Sequence, residues 1–294
     1  MAITNPNILL IGYNRPNFIQ KNLRHLDNLG FKNIFIHIDG PKNEDDKKSH
    51  NQILEIIEGF ELIPKTTFEE SNLGIIKSIP NAIDKYFLNY EEDLMIIEDD
   101  VLVSINSLGF IEKYKEELEK DKDIFFISLN SPCDKFINNS YYSIFPYIWG
   151  WYVSKKNWEE YRNFKKRHVL RNIFKTFKFE PTALLYWCLI YFLSKYKFLK
   201  SWDYDLVFYN ICNSKKVIVP KYNLTNNIGF SAENTHTKDN YKKKNVTYNY
   251  QNRVIDFSND VILNKNSNYT KTESKYVFET NFLGLLKKIL RRIT

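Results

Sequence analysis

Three acids stand side by side at Glu98-Asp99-Asp100, at the end of the apolar run DLMIIED (Asp93 to Asp99). Carboxylates at that density repel one another unless a cation or hydrogen-bond donors compensate them. Hard divalent ions take carboxylate oxygens and share them with substrate phosphates, so such a cluster can bridge protein, metal and diphosphate. The competing reading is an acidic turn that caps the next helix. Asp203 and Asp205 lie in SWDYD (Ser201 to Asp205). A carboxylate beside Trp202 sits in a partly apolar setting, which suits a general base, although a helix N-cap would use the same residue type. Asp39 in HIDGPK is either a turn residue or an acceptor for a nucleotide. In Asn72-Leu73-Gly74 with Lys77, the glycine permits close backbone approach and the lysine can face a phosphate. Trp149-Gly150-Trp151 offers a tight turn with two stacking faces, or plain core packing. His236 stands in the polar loop NNIGFSAENTHT (Asn226 to Thr237).

These residues need a scaffold, and the first hundred positions describe one. NILLIGY (Asn7 to Tyr13), NIFIHID (Asn33 to Asp39), Thr66 to Phe68 and DLMIIED read as strands. Between them, Pro16 to Leu29, Lys47 to Phe60 and Leu73 to Leu88 have helical spacing, the last with a kink or break expected at Pro80. Strands alternating with helices predict an α/β domain with a mostly parallel central sheet and helices on both faces. Ligands of such sheets bind beyond the carboxyl ends of the strands. Asn14-Arg15, Asp39 and Glu98-Asp99-Asp100 all fall at that edge. Further strands are expected at Ile124 to Asn130 and Lys216 to Pro220, with a loop-rich stretch from Asn226 to about Tyr250.

The 294 residues are 43% hydrophobic and 26% charged, a globular composition with room for a sizeable core. The formal charge is +7, in clusters such as Lys165-Lys166-Arg167. Twenty Tyr and 22 Phe go with abundant Asn, Lys and Ile, and we do not read them as a nucleic-acid stacking surface. Cys133, Cys188 and Cys212 are odd in number and widely spaced, which argues against a disulfide framework or zinc site and leads us to expect a cytoplasmic protein. Thr182 to Leu193, TALLYWCLIYFL, is too short to span a bilayer and is expected to be a buried or groove-lining helix. NFLGLLKKILRRI (Asn281 to Ile293) reads as a basic amphipathic helix, either a peripheral contact with the inner face of an anionic membrane or a last core helix.

Taken in order, YNRP, HIDGP, NLG, IIEDD, YIWGW, WDYD, NNIGF and THT resemble a group of bacterial GT-A proteins, the nucleotide-diphospho-sugar transferases or hemolytic-protein-like glycosyltransferases. The resemblance runs from about Asn7 to Thr237. N-acetylglucosaminyltransferase I is more distantly similar, with its own EDD, GW and WD elements. The resemblance implies a GT-A domain over residues 1–240; by composition, 241–294 read as a polar linker and the basic amphipathic segment. It implies a manganese or magnesium ion held by Asp100 and approached by His236. Glu98, Asp99, Asn14, Arg15 and Asp39 would line a nucleoside diphosphate sugar, with Gly150 near the sugar and Asp203 as base. Asp205 departs from the pattern, standing where a neutral residue is expected, and keeps the choice of base open. The implied reaction is inverting transfer of a sugar to a glycan or lipid-linked acceptor. A sugar-nucleotide-forming nucleotidyltransferase is a rival, although residues 12 to 16 read GYNRP and lack that class's glycine-rich loop. A non-catalytic membrane-surface protein on the same scaffold is another.

Overall fold

The computed structural model describes residues 5–61, 64–131, 139–199, 201–230, 255–257, 260, 262 and 273. It opens with strands and helices in strict alternation: β1 (Asn7–Gly12), α1 (Pro16–Asn28), β2 (Ile34–Ile38), α2 (Glu44–Glu58), β3 (Lys65–Phe68), α3 (Ile75–Asn89) and β4 (Leu94–Glu98). Local chemistry sets these boundaries. Pro16 begins α1, where its missing N–H has no helical partner to lose. The Asn43 side chain caps α2 by accepting from Asp46 N, and three acids fill the first turn. α3 runs unbroken through Pro80, so the expected break is absent. The carbonyl that loses its partner there belongs to Ile76, in an exposed first turn that water reaches.

Beyond β4 come β5 (Val101–Val103), α4 (Asn106–Lys120), β6 (Ile124–Ser128), β7 (Tyr141–Ser143), β8 (Trp151–Val153), α5 (Lys155–Arg162), α6 (Val169–Phe177), α7 (Pro181–Lys195), α8 (Tyr204–Asn213), β9 (Lys216–Val219) and β10 (Thr225–Asn227). The main sheet has the order β3-β2-β1-β4-β8-β6-β9-β7, and β5 pairs with β10 in a separate ribbon. β1, β2, β3 and β4 pair in parallel, β8 is antiparallel to both β4 and β6, and β7 is antiparallel to β9. The apolar runs of β1 and β4 are continuous because both faces are covered. Ile8 and Leu10 pack with α1, α2 and α4, through residues such as Leu23, Ile53 and Phe110. Leu9 and Ile11 pack on the other face with α3, α5 and α8, through Ile83, Trp158 and Leu206. The α/β class and the mostly parallel sheet expected from the sequence are therefore present.

A third cluster joins α6 and α7 to α8 around Phe145, Ile173, Trp187 and Phe208. The apolar stretch Thr182 to Leu193 is helical, as expected, but only one side of it is buried. Ala183, Tyr186, Trp187 and Ile190 face the core, whereas Leu185 is 67% exposed. Parts of the chain after residue 240 are attached to the domain. Phe257 stacks edge-on against Phe110, and Glu273 accepts from Ser143 Oγ and Tyr147 Oη, both at 2.7 Å. His236 and the basic stretch Asn281 to Ile293 lie outside the described residues. No helix among the described residues is long and apolar enough to cross a membrane.

Candidate active site

From β1 the chain steps outward to β2 and β3, with α1 and α2 on one face. It then returns along the other face through α3 to β4, on the opposite side of β1. The carboxyl ends of β1 and β4 therefore bound a topological switch point, where the flanking loops diverge and leave a crevice. Arg15 follows β1 and Glu98-Asp99-Asp100 ends β4, so these groups meet at that crevice.

Arg15 spans the acids. Its Nε donates to Asp99 Oδ2 at 3.0 Å, its Nη2 donates to Asp99 Oδ1, and its Nη1 donates to Asp100 Oδ2 at 3.0 Å. The fork of the guanidinium matches both oxygens of Asp99, which is 2% exposed. Asp99 and Asp100 hold the guanidinium protonated against the cost of its burial. The acids do not cap a helix. They form a tight turn into β5, and Asp99 N donates to Ile11 O. Burial pushes the Glu98 carboxyl up to about 8, and the charges of Asp100 and Asp99 add to that. Burial also raises Asp99, with Arg15 pulling in the opposite direction.

Asn22 fixes the turn from beneath. Its Nδ2 donates to Val101 O at 2.8 Å and lies within 3.4 Å of Asp99 O and Glu98 O. From above, Ile228 N donates to Asp100 O as β10 pairs with β5. A Cβ on Gly229 would stand 2.4 Å from Asp100 Oδ2, so any side chain there would have to displace the carboxylate from its place beside Arg15. Asp100 keeps a partly exposed carboxylate with one oxygen bound to Arg15. Among the described residues no three His, Cys, Asp or Glu side chains gather as a ready cage for a metal. The oxygen donor nevertheless fits a hard divalent ion of the kind that takes one or two carboxylates and completes its shell from substrate phosphates and water.

Asp203 stands at the N-cap position of α8. Its charge adds, after those of Asp100 and Asp99, to the rise at Glu98, so the start of α8 lies within electrostatic reach of the end of β4. Burial raises its pKa above the usual carboxylate range, opposed by a hydrogen bond from Ser201 Oγ. Asp205 turns elsewhere and pairs with Lys166 Nζ at 2.6 Å. Of the two acids in SWDYD, Asp203 bears electrostatically on Glu98, whereas Asp205 is engaged by Lys166.

Other candidates hold the loops. Asp39 accepts from Gly40 N and Leu73 N on Oδ1, and from Asn72 Nδ2 and Gly74 N on Oδ2, at 2.9 to 3.0 Å. Four donors fill a carboxylate, so the nucleotide acceptor envisaged at Asp39 is already satisfied by its own chain. This network seats Gly74, at φ 71, ahead of α3 and leaves Lys77 exposed on the first helical turn. Asn14 donates to Asp46 Oδ1 at 2.6 Å, and Tyr13 Oη donates to the same carboxylate.

Trp151 needs a correction. It is 1% exposed and packs against Phe126, Trp158 and Trp202, so it is core and offers no stacking face. The register of β8 points it inward. Trp149 remains partly exposed, with its backbone N–H donating to Asn130 Oδ1 at 3.0 Å, and Gly150 turns at φ 82 against Thr225.

Sequence reasoning missed Asn22, Asp46, Ser201 and Gly229. Asn22 had a signal, a polar residue in the apolar phase of α1 beside Ile19, Leu23 and Leu26. Asp46 is one of three acids in the first turn of α2, where acidic residues are ordinary, so its type gives no signal. No family model and no curated protein sequence matches the chain.

Proposed function

We propose that the protein is a metal-dependent, inverting glycosyltransferase of the GT-A type, moving a sugar from a nucleoside diphosphate sugar to a hydroxyl of a glycan or lipid-linked acceptor. One observation carries this reading. The switch-point crevice gathers an Arg15-bound acid cluster, with the half-buried Asp203 within electrostatic reach of it. The two suit the two demands of the reaction, charge handling at the leaving group and proton removal at the nucleophile. The strand order, with β8 antiparallel between the parallel strands β4 and β6, and the β5–β10 ribbon over Asp100 are compatible with that fold.

Asp100 would hold the divalent ion, which when bound neutralises charge on the departing diphosphate. Arg15 fixes Asp99 and so prevents the acids from splaying. Gly229 keeps the roof close. Asp203 takes the proton from the acceptor hydroxyl as the new carbon–oxygen bond forms and the bond to the diphosphate breaks. Its burial suits it to this, because a carboxylate raised toward neutrality is a stronger base. Lys77 and the exposed side of Trp149 flank the donor as phosphate contact and sugar platform.

The test is turnover of a panel of nucleoside diphosphate sugars with manganese or magnesium. The expected product is free nucleoside diphosphate, and Asp100→Ala should remove it by about 10²-fold or more while the variant stays folded. Activity that survives excess chelator, or pyrophosphate exchange in place of diphosphate release, would overturn the assignment.

A further inference from the structure

A surface helix ordinarily turns charged and polar residues outward. α7 does not. From Thr182 to Leu193 it contains no charged residue. Opposite its buried stripe, Leu185, Phe192 and Tyr196 follow at helical spacing and are 67%, 44% and 64% exposed. α6 presents Phe174, and the turn between the helices presents Phe179 at 82%. Among the described residues, six of the eleven exposed large apolar side chains fall between Phe174 and Phe198.

The same stretch carries the protein's net charge. Residues 165–199 hold eight Lys and Arg against one acid, Glu180, a balance of +7. The formal charge of the whole chain is also +7, so all other residues together sum to zero. The cations alternate with the apolar groups. Lys178 Nζ sits 4.6 Å over the Phe179 ring and Lys195 Nζ 5.9 Å over Tyr196. Lysines beside aromatic rings can bury their stems with the ring while the ammonium reaches phosphate.

We infer that the α6–α7 hairpin is a docking surface for an anionic lipid bilayer, lying in the headgroup region without crossing it. The helix is too short to span, and an apolar face rimmed by Lys and Arg matches the interfacial mode of binding. Charge complementarity selects this occupant. A second copy in a two-fold contact would set the basic face against itself. Residues 281–293 carry four basic residues and no acid, and so do not complement it either. The hairpin leads within eight residues from Lys195 to Asp203 and shares its core with α8. Docking would therefore hold the crevice beside the membrane. Vesicle binding needs no donor sugar, so it stands or falls independently of the proposed reaction.

The experiment is flotation of the full chain with vesicles of phosphatidylglycerol and phosphatidylcholine in equal parts, and with phosphatidylcholine alone. The protein should float with the anionic vesicles, and high salt should weaken the association. Phe179→Ser/Leu185→Ser/Phe192→Ser should lower partitioning by about tenfold or more at unchanged melting temperature. Lys175→Glu/Lys178→Glu/Lys195→Glu, which keeps the apolar face, should abolish the preference for anionic vesicles, and it decides the matter if the serine variant fails to fold. Three results overturn the inference. One is absence of wild-type flotation. Another is equal flotation of wild type and both variants, which would move the anchor elsewhere in the chain. The third is a wild-type dimer that the serine variant splits and that does not float.

Discussion

The crevice at β1 and β4 and the outer face of the α6–α7 hairpin break the ordinary pattern of burial in opposite directions. The first takes charge out of water, and the second leaves Leu185 and Phe179 in it. They differ in how far the molecule compensates its own departure. Around Asp99, Arg15 meets both carboxylate oxygens and Asn22 binds the turn that carries them. Among the described residues, Phe179 has the Lys178 ammonium over its ring, and Leu185 stays 67% exposed. Departures from local rules cluster where a protein works. A departure balanced internally points to a preorganised site, and one left unbalanced points to something outside the chain.

If the crevice is preorganised for chemistry, the largest effect lies at Asp203. Asp203→Asn should lower kcat by about 10²- to 10⁴-fold with donor affinity retained. Asp205→Asn, which only releases Lys166, should change it by less than about threefold. Loss of activity confined to Asp205→Asn would transfer the role of base. The pH profile provides a finer check. A base must be ionised, and burial raises Asp203, so kcat/KM should climb with pH along an acid limb lying above the ordinary carboxylate range. Ser201→Ala removes a hydrogen bond that favours the ionised form, and the limb should move further up.

A smaller effect tests whether Arg15 is part of the same internal balance. Arg15→Met leaves Asp99 buried without its ion partner, at a cost of about 3 kcal/mol in urea unfolding. Arg15→Met with Asp99→Asn should recover much of that, because no unpaired buried charge remains. Additive losses in the double variant would mean that the pair does not act as a unit.

How legible the two regions were in the sequence follows from their geometry. A strand ends where its apolar run ends, so Glu98-Asp99-Asp100 could be placed at the sheet edge from spacing alone, and Arg15 likewise. The choice between Asp203 and Asp205 could not, because it depends on which way the first turn of α8 faces. Trp151 looked like a stacking group because a Trp-Gly-Trp turn does not say which ring the next strand will take inward. Asp39 looked like a ligand because its four donors come from residues up to 35 positions away. The helix at Thr182 to Leu193 could be expected from its apolar run, but its exposed face could not. An apolar run does not say which of its sides is covered, and the packing partners show α6 and α8 on one face.

The last comparison sets the two faces of α7 against each other in the absence of lipid. Trp187 is 2% exposed and stacks with Phe145 and Phe177, so Trp187→Ala removes a large buried ring and should cost about 3–5 kcal/mol. Leu185 and Phe192 lie across the helix from it. Their exposed surface is in water in both the folded and the unfolded chain, so little burial is lost on substitution, and glutamine keeps good helix propensity. Leu185→Gln/Phe192→Gln should therefore shift stability by no more than about 0.5 kcal/mol per site, and removing sticky surface should improve solubility. Thermal and urea unfolding of the two variants in plain buffer make the measurement. A cost at Leu185 and Phe192 approaching that at Trp187 would mean that another part of the chain covers this face in solution. A near-silent substitution would mean that the apolar face is not needed for the fold, which sharpens the contrast with a crevice where Arg15 holds both oxygens of the buried Asp99.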